Sequence, residues 1–148
     1  MKIEPKYVTF EQGKLLKEKG FNVSCQHFYE LALTTQEDGE DGYSGPFGWK
    51  RGELNLRQGY FTNGSTLTDF SSDNWFMCAV PEQWQVVEWL RINHDIWIVA
   101  FPELLNGEEV RYYPSIFEQG VGEDINEYFD SPQEAYSASI TYILENLI

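Results

Sequence analysis

Basic residues are scarce in this chain: 24 Asp and Glu stand against 10 Lys and Arg, for a formal net charge of −14. Such a balance repels nucleic-acid phosphate, where affinity comes from Lys and Arg displacing counterions, and it disfavours anionic membrane surfaces. Cysteine is almost missing as well. Cys25 and Cys78 lie far apart and neither flanks a second cysteine, which excludes a redox CxxC and a zinc knuckle; two free thiols suit a reducing compartment. No apolar run reaches bilayer length, and the start, Met1-Lys2-Ile3-Glu4-Pro5-Lys6, lacks the apolar core of a secretion signal, so the expected location is the cytoplasm. The two histidines, His27 and His94, are followed by Phe28-Tyr29 and Asp95-Ile96, which excludes a phosphoesterase with paired His-x-Thr motifs.

Aromatics, by contrast, are plentiful. Five Trp, nine Tyr and ten Phe give a 148-residue chain enough apolar area to offset its ordering entropy, so one compact domain is expected despite the charge. The charge is lopsided: residues 1–20 hold five lysines and three glutamates, whereas residues 92–148 hold eleven acids and one base, Arg111.

Local signals set out the elements. Thr9 with Gln12 makes a capping box and Gly20 a left-handed stop, which predicts a first helix with Phe21 folding back on Leu16. From Gln26 the pattern changes to period two, placing His27, Tyr29, Leu31 and Leu33 on one strand face and Phe28, Glu30 and Ala32 on the other. Residues 35–49, with Glu37, Asp38, Glu40, Asp41 and glycines at every third position, read as a mobile loop. A strand is expected around Glu53 to Arg57, and a turn region runs from Asn63-Gly64 to Asp73. Asn74 to Val80 reads as a strand, Pro81 as the first position of a helix running to about Asn93, and Ile96 to Phe101 as a strand apolar on both faces and therefore central. Strand, helix and strand with short linkers predict a right-handed parallel crossover. Asn106-Gly107 fits a two-residue type I′ hairpin that sets Trp97 opposite Ile116 and Phe101 opposite Tyr112, with Pro114 marking the returning strand as an edge. Ser131, Pro132 and Glu134 open a last helix whose predicted buried stripe is Tyr136, Ile140, Ile143 and Leu147. The expected fold is α+β: one domain, a mixed but mostly antiparallel sheet of about five strands, and three helices.

Three blocks carry a resemblance: Tyr7 to Phe21, Trp89 to Val99, and the helix from Ser131-Pro132-Gln133-Glu134-Ala135-Tyr136 to Leu144-Glu145-Asn146-Leu147-Ile148. Together they make about a third of the chain, which resembles a group of small uncharacterised acidic proteins of bacteriophages and prophages of gut bacteria. The resemblance implies a phage origin, hence a host cytoplasm, and no particular chemistry.

Reactive constellations are weak throughout. A thiolate needs a neighbouring base or cation, but the strand reading points Cys25 and His27 to opposite faces, with His27 on the side of Tyr29 and Leu31, so a core or edge histidine outweighs a catalytic one. His94 beside Asp95 falls in the last helical turn, where it serves the helix dipole better than proton transfer. Glu37, Asp38, Glu40 and Asp41 lack the stagger of a calcium loop. Any two of so many acids could meet as a glycosidase pair, so their abundance carries little information. Neither metal nor cofactor is expected. Among the tryptophans, Trp84 shares a face with Val87 and Leu90 and reads as core; Trp89 projects elsewhere, over a sheet edge or a partner; Trp49, beside Lys50 and Arg51, reads as exposed.

The expected function is a non-enzymatic acidic module that binds a basic protein, one form being occlusion of a host nucleic-acid-binding or defence protein. The candidate contacts are Glu37, Asp38, Glu40, Asp41, Trp49, Glu108, Glu109, Glu118, Glu123, Asp124 and Glu127. Two other readings stand beside it: a small ligand-binding domain or hydrolase with a pocket near the Pro81 helix start and His94, and a virion or assembly component.

Overall fold

The computed structural model describes residues 6–32, 54–63 and 75–148. Helix α1, Phe10–Glu18, begins as its sequence predicts: Thr9 accepts from the Gln12 amide at 3.2 Å, and the Gln12 side chain accepts from the Thr9 amide at 2.9 Å. It ends at Gly20, whose φ of +83° lets the Phe21 amide reach back to the Leu16 carbonyl at 2.9 Å. Leu16 and Phe21 are both fully buried, which supplies the hydrophobic contact that usually accompanies this motif.

Strands β1 (Cys25–Ala32), β2 (Leu54–Phe61) and β3 (Trp75–Ala79) form one antiparallel sheet in the order β2-β1-β3. Strand β1 carries a bulge between Cys25 and His27. Helix α1 packs on β3 through Gly13, where a Cβ would sit 3.0 Å from the Cys78 sulfur, so a larger residue would have to push that sulfur aside by a few tenths of an ångström.

Helix α2, Gln83–His94, starts two residues later than the sequence predicts. The preceding chain takes the intervening backbone groups: Val8 donates to the Pro81 carbonyl at 3.1 Å and Gln83 to the Lys6 carbonyl at 2.8 Å, leaving Glu82 as the cap. The helix ends on Asp95 in the left-handed conformation, φ +54°, with its amide bonded to Leu90.

The crossover expectation is overturned. Strands β4 (Ile96–Leu105), β5 (Glu109–Glu118) and β6 (Val121–Asp124) form a second antiparallel sheet, β4-β5-β6, and β3 never pairs with β4. Both edges of β1 are already occupied by β2 and β3, while β4 finds its partner in the hairpin it leads into. The short linkers around α2 therefore join two sheets. Among the described residues the architecture is α+β with three helices, and the strands divide into two sheets of three.

The β4–β5 hairpin differs from expectation by one residue. Asn106 and Gly107 take the expected positive φ values, +54° and +76°, but Glu108 joins the loop and Leu105 pairs with Glu109. Trp97 therefore faces Phe117, and Phe101 faces Tyr113. The returning strand is central, not an edge. Tyr112 exchanges both backbone bonds with Phe129, so by strand alternation the nitrogen of Pro114 points to the same side, into the gap between that bridge and the end of β6. Proline is tolerated there because no ladder bond is asked of it.

Helix α3, Pro132–Asn146, opens on Ser131, whose hydroxyl accepts from the Glu134 amide at 3.3 Å. Ala135, Ser139, Ile140, Ile143 and Leu144 are its buried face, against Val86 and Leu90 of α2 and Ile96, Ile98 and Ile116 of the second sheet. Of the predicted stripe, Ile140 and Ile143 are buried, whereas Tyr136 and Leu147 lie half-buried at its margins. Buried Gln12 joins α1 to α3, donating to the Ser137 carbonyl at 2.8 Å and the Thr141 hydroxyl at 2.9 Å.

Candidate functional site

Strand alternation divides the β4–β5–β6 sheet into two chemically different faces. Ile96, Ile98 and Ile116 face the helices and are buried. The opposite face carries, in cross-strand rows, Trp97 with Phe117 and Gly122, Val99 with Ser115 and Asp124, Phe101 with Tyr113, and Glu103 with Arg111. No described helix or strand covers it. Trp97 and Phe101 are 49% and 47% exposed, and the Tyr128 ring lies 5.5 Å from that of Tyr113. The strand read as apolar on both faces is thus an edge strand with one open face.

Polar groups tie this face together. The Tyr128 hydroxyl donates to Glu103 at 2.8 Å, and the Ser115 hydroxyl donates to Asp124 at 2.7 Å. The hydrogen bond to the Glu103 carboxylate holds the Tyr128 phenol above its usual range, and desolvation followed by Asp124 raises Tyr113 likewise. Both phenols therefore stay donors at neutral pH. Arg111 is clamped by Glu109 at 2.8 Å and by Asp130. Arg91 of α2 lays its guanidinium over Trp97, 5.3 Å from the ring centroid, while its Nε donates to Glu88 at 2.9 Å.

The acids picked out in the sequence do not gather on one face. Asp124 and Glu109 belong to the open aromatic face, whereas Glu118 and Glu123 point to the other side of the same sheet. There they line a cavity of about 290 Å³ with Ile116, Val121 and Leu147, and Glu123 accepts from the Tyr142 hydroxyl at 2.5 Å. Glu108 sits in the hairpin turn and Glu127 in the connection to α3, both exposed. Glu37, Asp38, Glu40, Asp41 and Trp49, with the loop that carries them, lie outside the described residues.

Pro81 and His94 are not brought together. Pro81 is buried and the helix start is occupied by the chain at Lys6 to Val8, while His94 lies at the far end of α2, roughly 18 Å away by helical rise, against the Trp89 ring at 4.7 Å. The His27 ring lies tilted against that of Tyr7, 4.7 Å between centroids, and its buried Nδ1 has no hydrogen-bond partner among the described residues. Among the described residues no group of three His, Cys, Asp or Glu could hold a metal ion, and no helix is long and apolar enough to cross a membrane.

Comparison with known families, with curated proteins and with solved structures returns no match.

The thiols are held in their unreactive form. Burial pushes Cys25 up to about 11, and burial pushes Cys78 up to about 12 against the pull of Lys17 and Lys14. An unfolded cysteine titrates near about 8.5, so below that pH both states carry the thiol and the shift contributes nothing to pH dependence. Above it the unfolded chain releases protons that the folded chain keeps, and stability falls as pH climbs toward the folded values. The melting temperature should drop between about pH 9 and 11, and Cys78→Ala should flatten that drop. Iodoacetamide at neutral pH should label neither thiol until the protein is unfolded; rapid labelling of the folded chain would contradict this burial.

Residues missed by sequence reasoning are those of the open face: Trp97, Phe101, Tyr113, Tyr128 and Glu103 as a set. The available signal was Ile96 to Phe101 itself, in which alternate residues differ: isoleucine on one face, tryptophan and phenylalanine on the other.

Proposed function

We propose that the protein is a non-enzymatic acidic binding module that docks a basic protein on the open face of the β4–β5–β6 sheet. The observation that carries this reading is a row of aromatics that no described helix or strand covers, Trp97 and Phe101 exposed and Tyr113 half-buried beside Tyr128, bordered by the carboxylates Glu103, Glu109 and Asp124. Exposed aromatic area of this kind provides anchors, and surrounding negative charge steers a positive partner and penalises a negative one. In line with the resemblance to small phage and prophage proteins, one specific form of this role is to occlude a host nucleic-acid-binding or defence protein, the sheet face taking the place of phosphate.

The two neighbours on β6 give a built-in test. Asp124→Lys reverses charge on the open face, and Glu123→Lys reverses it on the opposite face. Capture of basic proteins at low salt should fall at least about tenfold for Asp124→Lys and change little for Glu123→Lys. Binding of the unaltered protein should also weaken as the Debye length shrinks from about 10 Å at 0.1 M salt to about 3 Å at 1 M. Equal loss in both variants would place docking elsewhere, and indifference to salt would remove the acidic reading altogether.

A further inference from the structure

We infer that the open face reads arginine specifically, and that Arg91 occupies its Trp97 subsite in cis until a partner's arginine displaces it. The inference rests on the docking reading above and names the occupant: an extended, arginine-rich segment of the partner.

Arg91 shows what the subsite accepts. Its guanidinium lies over the indole of Trp97, 5.3 Å from the centroid, with Glu88 bonded to its Nε at 2.9 Å. A planar cation thus rests on a ring and is gripped at its edge by a carboxylate. Guanidinium suits this arrangement better than ammonium, because it stacks flat, is weakly hydrated, and offers a fork of donors to a carboxylate. Both Arg91 and Glu88 are substantially exposed, with side-chain accessibilities of 37% and 47%, so water can replace the pair readily.

The same elements recur along the face, where no cation among the described residues lies over the ring. Phe101 and Tyr113 form a cross-strand pair, Tyr128 packs on Tyr113, and Glu103 and Asp124 stand at either end of this group, each fixed by one hydroxyl donor at 2.8 and 2.7 Å. From Trp97 to Phe101 is four residues of strand, or about 13 Å at about 3.3 Å per residue. An extended peptide laid along β4 sets side chains at i and i+4 on one face at that spacing, so an alternating arginine sequence meets both aromatic subsites with arginines four residues apart. Pairing onto the free edge of β4 is disfavoured. Glu109, Arg111 and Tyr113 turn their backbone groups toward β4, which leaves the even-numbered groups of β4 on its free edge, and Pro102 removes one donor there. The occupant therefore lies across the side chains.

The test compares two probes on the full chain by calorimetry: alternating arginine–glycine and lysine–glycine peptides of about ten residues. The arginine peptide should bind about tenfold tighter than its lysine counterpart, and Phe101→Ala or Trp97→Ala should remove most of that difference. Arg91→Lys keeps the net charge but takes the guanidinium off the ring, and it should raise affinity for the arginine peptide about threefold while leaving the lysine peptide unchanged. Equal affinity of the unaltered protein for both peptides overturns the inference while leaving charge-driven docking intact. Capture of basic proteins with binding of neither peptide does the same. If neither peptides nor basic proteins bind, the docking reading fails with it.

Discussion

Replacing Gln12 by alanine should lower the unfolding free energy by about 3 kcal/mol, seen as a loss of roughly 6–12 °C in melting temperature for a chain of this size. Gln12 is 2% exposed, and its amide does two tasks. Its oxygen accepts from the Thr9 backbone at 2.9 Å, closing the cap of α1. Its nitrogen reaches the Ser137 carbonyl at 2.8 Å, the Ser137 hydroxyl at 3.0 Å and the Thr141 hydroxyl at 2.9 Å on α3. Two N–H groups serve three acceptors, so the cluster has no spare donor. Truncation unpairs the Thr9 amide and these α3 acceptors and leaves a void between the helices, whereas Thr9→Ala removes only half of the cap and should cost about 1 kcal/mol. A cost for Gln12→Ala no larger than that for Thr9→Ala would mean that the bonds to α3 contribute nothing, and that the two helices are held by apolar contact alone.

That glutamine also illustrates what a sequence discloses. Its capping role is legible, because Thr9 and Gln12 are three residues apart and the motif is local; its role across 129 residues to Thr141 is not. The same division holds elsewhere. Gly20 and the Ser131-Pro132 start were readable because they satisfy backbone groups within one turn. The hairpin register slipped by one because Glu108 joined the Asn106-Gly107 turn. Strand β6 went unforeseen because Gln119, at φ +49°, takes a left-handed position where asparagine or glycine would have advertised the turn. The crossover failed for a different reason: the same strand–helix–strand pattern serves one sheet or two, and the choice was made by β1, some fifty residues before β3, and by the hairpin partner β5, both outside the strand–helix–strand segment. The acids were individually visible, but alternation sends Glu123 and Asp124 to opposite faces, so nearness in sequence became separation in space. The aromatic face was hidden for the deepest reason, since being uncovered depends on every other element packing somewhere else.

Trp89→Ala should cost about 4 kcal/mol, while Trp84→Ala should change stability by no more than about 0.5 kcal/mol. The sequence pattern ranks these two the other way, grouping Trp84 with Val87 and Leu90. The helix instead turns Val86, Trp89 and Leu90 inward. Trp89 is 6% exposed, its ring edge-on to Phe21 at 5.4 Å and against His94 at 4.7 Å, so truncation opens a cavity beside the turn that ends α1. Trp84 is 63% exposed and gives its indole N–H to Glu82 at 2.7 Å, a surface bond that water replaces. Urea unfolding of the two variants, with emission from the remaining tryptophans, decides the matter, since loss of Trp89 should also remove a blue-shifted buried component. A larger cost at Trp84 would mean that α2 is rotated by one residue about its axis. Because Arg91 lies two residues beyond Trp89 on the same helix, that rotation would also lift its guanidinium from Trp97. The urea unfolding experiment therefore tests the geometry on which the arginine-reading face depends, before any partner is added.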